Sequence, residues 1–305
     1  MSADPVHTLD DLVRWSHAGT SLAVLGHPIA HSLSPPMHNA ALAGLAQRDA
    51  RFRDWRYFRF DVPPADLPRA LALLHEEKFY GLNLTVPHKV MAFDLVAETD
   101  PAAQPVGAVN TLTWTEHGWH GYNTDGYGLA TAVYETLGRK LAGAHIIILG
   151  AGGAARGAAV ECLQQRCASL WILNRTKEKL APFLAILEPL KGNISVRGFA
   201  LDAPPPNFPK GVIFIQATTL GLHASDTVPF KLRDLPDPAG VYDMTYNLSE
   251  TALGAQARER NIPYANGLSM LVHQGAKSLE IWTGAPAAET APVMRAAAEA
   301  ALRDV

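Results

Sequence analysis

The chain has 305 residues, 48% of them apolar and 18% charged, with a formal net charge of −3 when histidine is neutral. At about 100–200 residues per domain this length points to two domains, and the apolar share suits two packed cores rather than a disordered chain. A charge this small leaves no broad basic face, so nucleic acid and anionic membranes are poor partners.

The opening residues carry Asp4, Asp10 and Asp11 and no apolar run, unlike a signal peptide. No apolar run approaches the roughly 20 residues of a membrane span. The two cysteines, Cys162 and Cys167, sit in a helix and its exit loop, where no second pair of ligands completes a zinc site. Read as reduced thiols, they point to the cytoplasm.

In chain order, residues 21–26 (SLAVLG) read as a buried strand, and 36–47 as a helix with Met37, Ala41, Leu42 and Leu45 at helical spacing. Residues 56–62 alternate like a strand, 67–78 form a helix on Leu67, Leu71 and Leu74, and 81–85 form another strand. Residues 109–114 and 119–123 flank Glu116, His117 and Gly118 as a hairpin. A helix starts near Asp125, a residue type suited to capping it. A second strand–helix rhythm begins with strand 145–149 and helix 153–165, then strand 170–173 and helix 177–187. Pro204 to Pro206 and Pro209 mark a loop before strands 212–216 and 241–243, and helices 268–283 and 287–302 close the chain. This alternation implies an α/β architecture.

Gly150-Ala151-Gly152-Gly153-Ala154-Ala155 follows a strand and opens a helix, which fits the dinucleotide-binding G-x-G-x-x-G/A pattern. The glycines permit a tight turn and close approach to a pyrophosphate, and the helix start offers unpaired N–H groups. A small-residue turn needed only for packing is the competing reading. The next strand ends Leu173-Asn174-Arg175-Thr176-Lys177, without the acid that binds a free ribose 2′-hydroxyl in NAD sites. Arg175 and Lys177 suit a 2′-phosphate instead, unless they are simply a solvated helix start.

Four polar clusters precede that turn. Ser32 and Ser34 lie in Gly26–Pro35 on a loop entering a helix, and suit either a small carboxylate or ordinary capping. His27, His31 and His38 have no acid or cysteine beside them, so no metal is expected. Lys89 follows a strand end at a helix start, a place suited to a proton-transfer group. Gly107–Thr111 and Gly121–Gly126 hold Asn110 and Asp125.

The segments GHPIAHSLSP, GLNLTVPHK, GAVNT, GYNTDG, LGAGGAARG, NRT, YDMTY and NGLSMLVHQGA run from Gly26 to Ala276 in the order found in shikimate dehydrogenases, and the chain resembles that family over nearly its whole length. The resemblance implies a discontinuous N-terminal α/β substrate domain, residues 1–125 and 271–305, and a Rossmann-type doubly wound parallel-sheet NADP domain, residues 126–270. It implies that Ser32 and Ser34 hold the carboxylate of shikimate or 3-dehydroshikimate, with Thr85 and Tyr246 nearby. Lys89 and Asp125 become the catalytic pair, and Asn110 and Gln274 bind ring hydroxyls. Gly150, Gly152, Gly153 and Ala154 cradle the pyrophosphate of NADP. Asn174, Arg175 and Thr176 hold its 2′-phosphate, and Met244 and Gly267 lie near the nicotinamide. A cytoplasmic monomer or homodimer without a metal is expected.

Four positions depart from the family pattern: Gln216 and Thr219 where Asn and Pro are usual in an Asn-Ala-Thr-Pro run, Leu248 where Pro is usual, and Ser269 where Gly or Pro is common. They bear on the nicotinamide side. The alternatives are a quinate/shikimate dehydrogenase with looser NAD(P) preference and a catalytically silent NADP- or shikimate-binding regulator. The retained Lys89 and Asp125 argue against the second.

Overall fold

The computed structural model describes residues 5–205, 207–221, 226–227, 230–246 and 251–303. Pro206 and Leu248 lie outside the described residues. The chain divides into two compact units, Met1–Thr124 with Val272–Val305 and Asp125–Leu271.

In the first unit a short helix, α1 (Leu9–Leu12), leads into β1 (Ser21–Gly26), whose every residue is buried. Burial on both faces is the signature of a central parallel strand, and β1 is flanked in parallel by β2 (Arg56–Asp61) and β3 (Gly81–Leu84). Helices α2 (Ser34–Ala46) and α3 (Leu67–Glu76) make the crossovers, and α4 (His88–Phe93) follows β3. The sheet is completed by β4 (Glu98–Thr99), β5 (Thr111–Thr115) and β6 (Gly118–Tyr122), in the order β2-β1-β3-β5-β6-β4. Because β5 runs antiparallel to β3, its first residue lies at the sheet edge where β3 ends. The β5–β6 turn is tighter than the sequence suggests. Gly118 adopts φ +126°, pairs with Thr115, and so joins the strand instead of the turn. Phe60, Leu74, Phe79, Leu82 and Trp119 belong to this unit's core.

The second unit opens with α5 (Asp125–Leu137) and continues through β7 (His145–Leu149), α6 (Gly153–Gln164), β8 (Ser169–Asn174), α7 (Leu180–Leu187) and β9 (Ser195–Ala200). Then come β10 (Ile213–Gln216), β11 (Gly240–Asp243), α8 (Ala252–Glu259) and β12 (Tyr264–Asn266). All neighbours are parallel in the order β12-β11-β10-β7-β8-β9, a doubly wound Rossmann-type sheet whose strand order reverses between β7 and β10. Ile147, Phe214, Val241 and Leu253 are part of its core. Helix α9 (Leu268–Thr283) carries the chain back, and α10 (Ala287–Arg303) packs on α2 of the first unit.

His38 of α2 is fully buried, with its ring stacked on Tyr57 at 4.1 Å and 2° between planes. Burial disfavours the charged ring and lowers its pKa from 6.5 to about 3. The unfolded chain therefore binds a proton near pH 6.5 that the folded chain refuses until about pH 3, so this group's stabilisation is complete above pH 6.5 and is lost as pH falls. Stability should drop by about 1.4 kcal/mol per pH unit below that point, read from urea midpoints. His38→Phe, which keeps a stacked ring, should flatten the slope by that share; an unchanged slope would contradict it.

Candidate active site

At one edge of the first unit's sheet, β1 and β3 end side by side. A Cβ on Gly26 would lie 2.5 Å from Cγ2 of Thr85 and 2.8 Å from Cδ1 of Ile29, so glycine lets the two strand ends close. The loop after β1 is then pinned. His27 Nδ1 lies 2.6 Å from Asp61 Oδ1, and Arg59 Nη1 donates to the Ala30 carbonyl at 2.5 Å. Ser32 and Ser34 sit where this loop enters α2, with Ser32 Oγ accepting the Ser34 N–H at 3.3 Å. Pro35 and Pro36 follow directly. Prolines carry no N–H, so the opening of α2 has few main-chain donors for an anion and its hydroxyls must supply them. Helix α2 starts earlier than the apolar spacing implied because proline fits the first helical turn.

Lys89 is the second residue of α4, half-buried, and its carbonyl accepts the Val109 N–H at 2.9 Å. That bond ties α4 to the segment holding Asn110. Asn110 is 1% exposed. Its Oδ1 accepts the main-chain N–H of Thr124 at 2.8 Å, while its Nδ2 donates to Thr124 Oγ1 at 3.0 Å and Gln274 Oε1 at 3.2 Å. The main-chain donor fixes which end of the amide is oxygen. Ser32, Ser34, Thr85, Lys89, Asn110 and Gln274 thus all belong to this unit. Asp125, the next residue after Thr124, is half-buried and opens α5 in the second unit.

Asn83, Thr111, Thr124 and Ser278, all buried, were not singled out from the sequence. The available signal was an asparagine inside an otherwise apolar strand, Gly81–Leu84. Ser278 offered only its place one helical turn after Gln274.

In the second unit the other predicted residues lie at or just beyond the carboxyl ends of the strands. Gly150 follows β7 with φ +125°, and a Cβ there would lie 3.0 Å from the Ala217 carbonyl after β10. Gly152 and Gly153 are exposed, and added Cβ atoms would meet nothing within 4 Å. Gly152 has φ −95°, so neither its backbone angle nor protein packing demands glycine. The space these residues leave open fits a phosphate approaching the backbone. Gly152 caps α6 without a side-chain hydrogen bond, which leaves that helix start available to an anion. Ala154 is exposed, whereas Ala155 is fully buried against the unit's interior. After β8, Asn174 Nδ2 donates to the Thr176 carbonyl at 2.8 Å, shaping a turn from which Arg175 is exposed.

Asp243, 1% exposed at the end of β11, accepts from Thr245 Oγ1 and Thr251 Oγ1, both at 2.8 Å. This anchors the backbone carrying Met244 and Tyr246, both half-buried; burial raises the Tyr246 pKa. Gly267 is forced by proximity, since a Cβ would lie 2.3 Å from the Met244 carbonyl. Gln216 turns back on its own loop, accepting the Thr218 N–H at 2.5 Å and donating to the Leu220 carbonyl at 2.6 Å. The Ser269 hydroxyl donates to Glu135 Oε2. Among the described residues no cluster of His, Cys, Asp and Glu is arranged to hold a metal, and no helix is long and apolar enough to cross a membrane.

Two family models match the chain, both mostly within the first unit. The shikimate dehydrogenase substrate binding domain family matches residues 24–112, and the shikimate 5′-dehydrogenase C-terminal domain family matches residues 267–299. Shikimate dehydrogenase (NADP(+)) of Symbiobacterium thermophilum is 39% identical over 292 residues, covering 93% of this chain and 95% of its own. The structure of shikimate 5-dehydrogenase from Thermus thermophilus, in complex with NADP(H) and shikimate, superposes with a TM-score of 0.77 at 32% identity, over 92% of this chain and 99% of that one. A ligand-free 5-ketofructose reductase of Gluconobacter sp. gives a TM-score of 0.77 at 28% identity, over 92% and 99% of the two chains. The chain belongs to the shikimate dehydrogenase family.

Proposed function

We propose that this protein catalyses the NADP-dependent, reversible reduction of 3-dehydroshikimate to shikimate. One observation carries the reading: the first unit holds the paired serines, a lysine and two hydrogen-bonded side-chain amides, in a chain 39% identical to a named shikimate dehydrogenase. The enzyme works in the cytoplasm, as a monomer or homodimer.

Bound NADPH supplies the hydride. The protein's own groups hold the substrate and manage one proton. Ser32 and Ser34 donate to the substrate carboxylate, with Thr85 and Tyr246 completing that end. Asn110 and Gln274, with their amides already oriented, bind ring hydroxyls. Lys89 gives its proton to the carbonyl oxygen as negative charge develops there, and Asp125 accepts a hydrogen bond from a substrate hydroxyl. In the reverse direction the same lysine takes the proton back. The paired serines favour a carboxylate-bearing ring over a neutral keto-sugar such as 5-ketofructose, and no observation favours quinate.

On the cofactor side, Gly150, Gly152, Gly153 and Ala154 receive the pyrophosphate. Asn174, Arg175 and Thr176 hold the 2′-phosphate, and Met244 and Gly267 border the nicotinamide. Arg175→Ala should weaken NADPH far more than NADH, because only NADPH carries the 2′-phosphate. Losing a charge-assisted hydrogen bond of about 1.5–3 kcal/mol lowers affinity on the order of ten- to a hundredfold. Equal losses for both cofactors in fluorescence titrations would remove Arg175 from that role.

Lys89→Ala tests the chemistry. General acid–base groups typically contribute about 10²–10⁴-fold, so kcat for shikimate oxidation should fall by that order while KM moves only modestly. A variant that raised KM alone, with kcat near wild type, would make Lys89 a uniform binding group.

A further inference from the structure

Behind the residues proposed to touch substrate lies a buried cluster of hydroxyls and amides. At its centre is Ser278, which is fully buried on α9, one turn after Gln274. Its Oγ donates to the Gln274 main-chain carbonyl at 3.0 Å. A carbonyl can only accept, so this bond uses the hydroxyl's single proton and leaves its lone pairs to accept. Asn83 Nδ2 donates to it at 3.0 Å, and the Thr111 and Thr124 hydroxyls lie 2.7 and 3.2 Å away. The cluster extends both ways. Asn83 Oδ1 accepts from the Tyr57 hydroxyl at 2.7 Å. The Thr111 and Thr124 hydroxyls also lie 3.0 and 3.2 Å from Asn110 Oδ1, which gives each single proton a second acceptor within reach, and Asn110 Nδ2 reaches Gln274 Oε1 at 3.2 Å. One continuous network therefore joins Tyr57 to Gln274.

We propose that Ser278 is a positioning residue for the ring-hydroxyl end of the substrate site. It locks the turn of α9 that carries Gln274 against β3, β5 and Thr124, and so sets the donor and acceptor pattern offered by the Gln274 and Asn110 amides. The proposal deepens the shikimate reading above and rests on it. The physical argument concerns direction. With Asn110 Oδ1 committed to Thr124, its Nδ2 must face Gln274, so Gln274 Oε1 is the accepting end of that amide. Without the Ser278 hydroxyl, Thr111 and Thr124 lose one of the two acceptors within reach of their protons, Asn83 loses one of three acceptors, and the tie between the Gln274 turn and the sheet goes with them.

The test is Ser278→Ala in the full chain, assayed with shikimate and NADP and checked for folding by thermal melting. KM for shikimate should rise about five- to tenfold, the size expected for one neutral hydrogen bond, with a smaller change in kcat and no change in KM for NADP. In a Gln274→Ala background the same substitution should add less than about a twofold effect, because its action passes through Gln274. A merely structural role would instead give additive losses, or a matched loss toward NADP, and would overturn the proposal. Should Ser278→Ala fail to fold, Thr111→Val removes the nearest hydroxyl at constant shape and must give the same KM rise. Wild-type protein that does not oxidise shikimate sinks the functional reading and this proposal together. Active wild type with an unaltered KM in a folded Ser278→Ala or Thr111→Val sinks only this one.

Discussion

The main-chain N–H of Thr124 donates to Asn110 Oδ1, and the geometry of the first unit's site depends on that bond. A backbone donor cannot rotate to become an acceptor, so it determines how the Asn110 amide lies. The amide then dictates how Gln274 is held. The bond is possible because β5 and β6 pair antiparallel: with Thr111 opposite Tyr122, Asn110 just before β5 meets Thr124 just after β6. Thr124 in turn is joined by a single peptide bond to Asp125. Buried polar groups stabilise a fold only when nearly all are satisfied, and the partners here are drawn from β3, β5 and α9, which are far apart in sequence.

The second unit meets a different requirement, which is to bring backbone near a ligand. Gly150 and Gly267 are glycines because protein atoms crowd them, Ala217 in one case and Met244 in the other. Gly152 and Gly153 are glycines with empty space around them, which makes sense if the space is used by something other than protein. Asp243 lies away from those glycines in sequence, yet its bonds to Thr245 and Thr251 hold the turn after β11 in place. A buried carboxylate that accepts several hydrogen bonds is a rigid anchor.

Much of this could be read in the sequence, because strong local patterns mark strongly constrained places. The apolar run of β1, the β-branched run of β7 and the glycine turn after it each reflect burial on both faces or close backbone approach. What escaped was what depends on distant partners. Strand β9 is half-exposed and carries Arg197 and Gly198, so it lacks a strand pattern, and β12 is three residues long. The sequence pattern leaves each hairpin strand one residue short at the turn, because nothing local shows that Gly118 pairs with Thr115. Ser278 resembles any helical serine until Asn83, Thr111 and Thr124 arrive from elsewhere. Gln216 reads as a departure from the usual asparagine, and only the fold shows its longer side chain bridging Thr218 and Leu220.

The central claim is that the first unit recognises the ring through an Asn110 amide that the Thr124 N–H has already oriented. The most direct measurement is kcat/KM for 3-dehydroshikimate with saturating NADPH, compared between wild type and Asn110→Ala, with the NADPH dissociation constant measured on the same samples. Losing a ring-hydroxyl contact and orphaning a buried main-chain donor together should lower kcat/KM on the order of a hundredfold, with NADPH binding unchanged. A folded Asn110→Ala that keeps kcat/KM within about twofold of wild type would contradict the account.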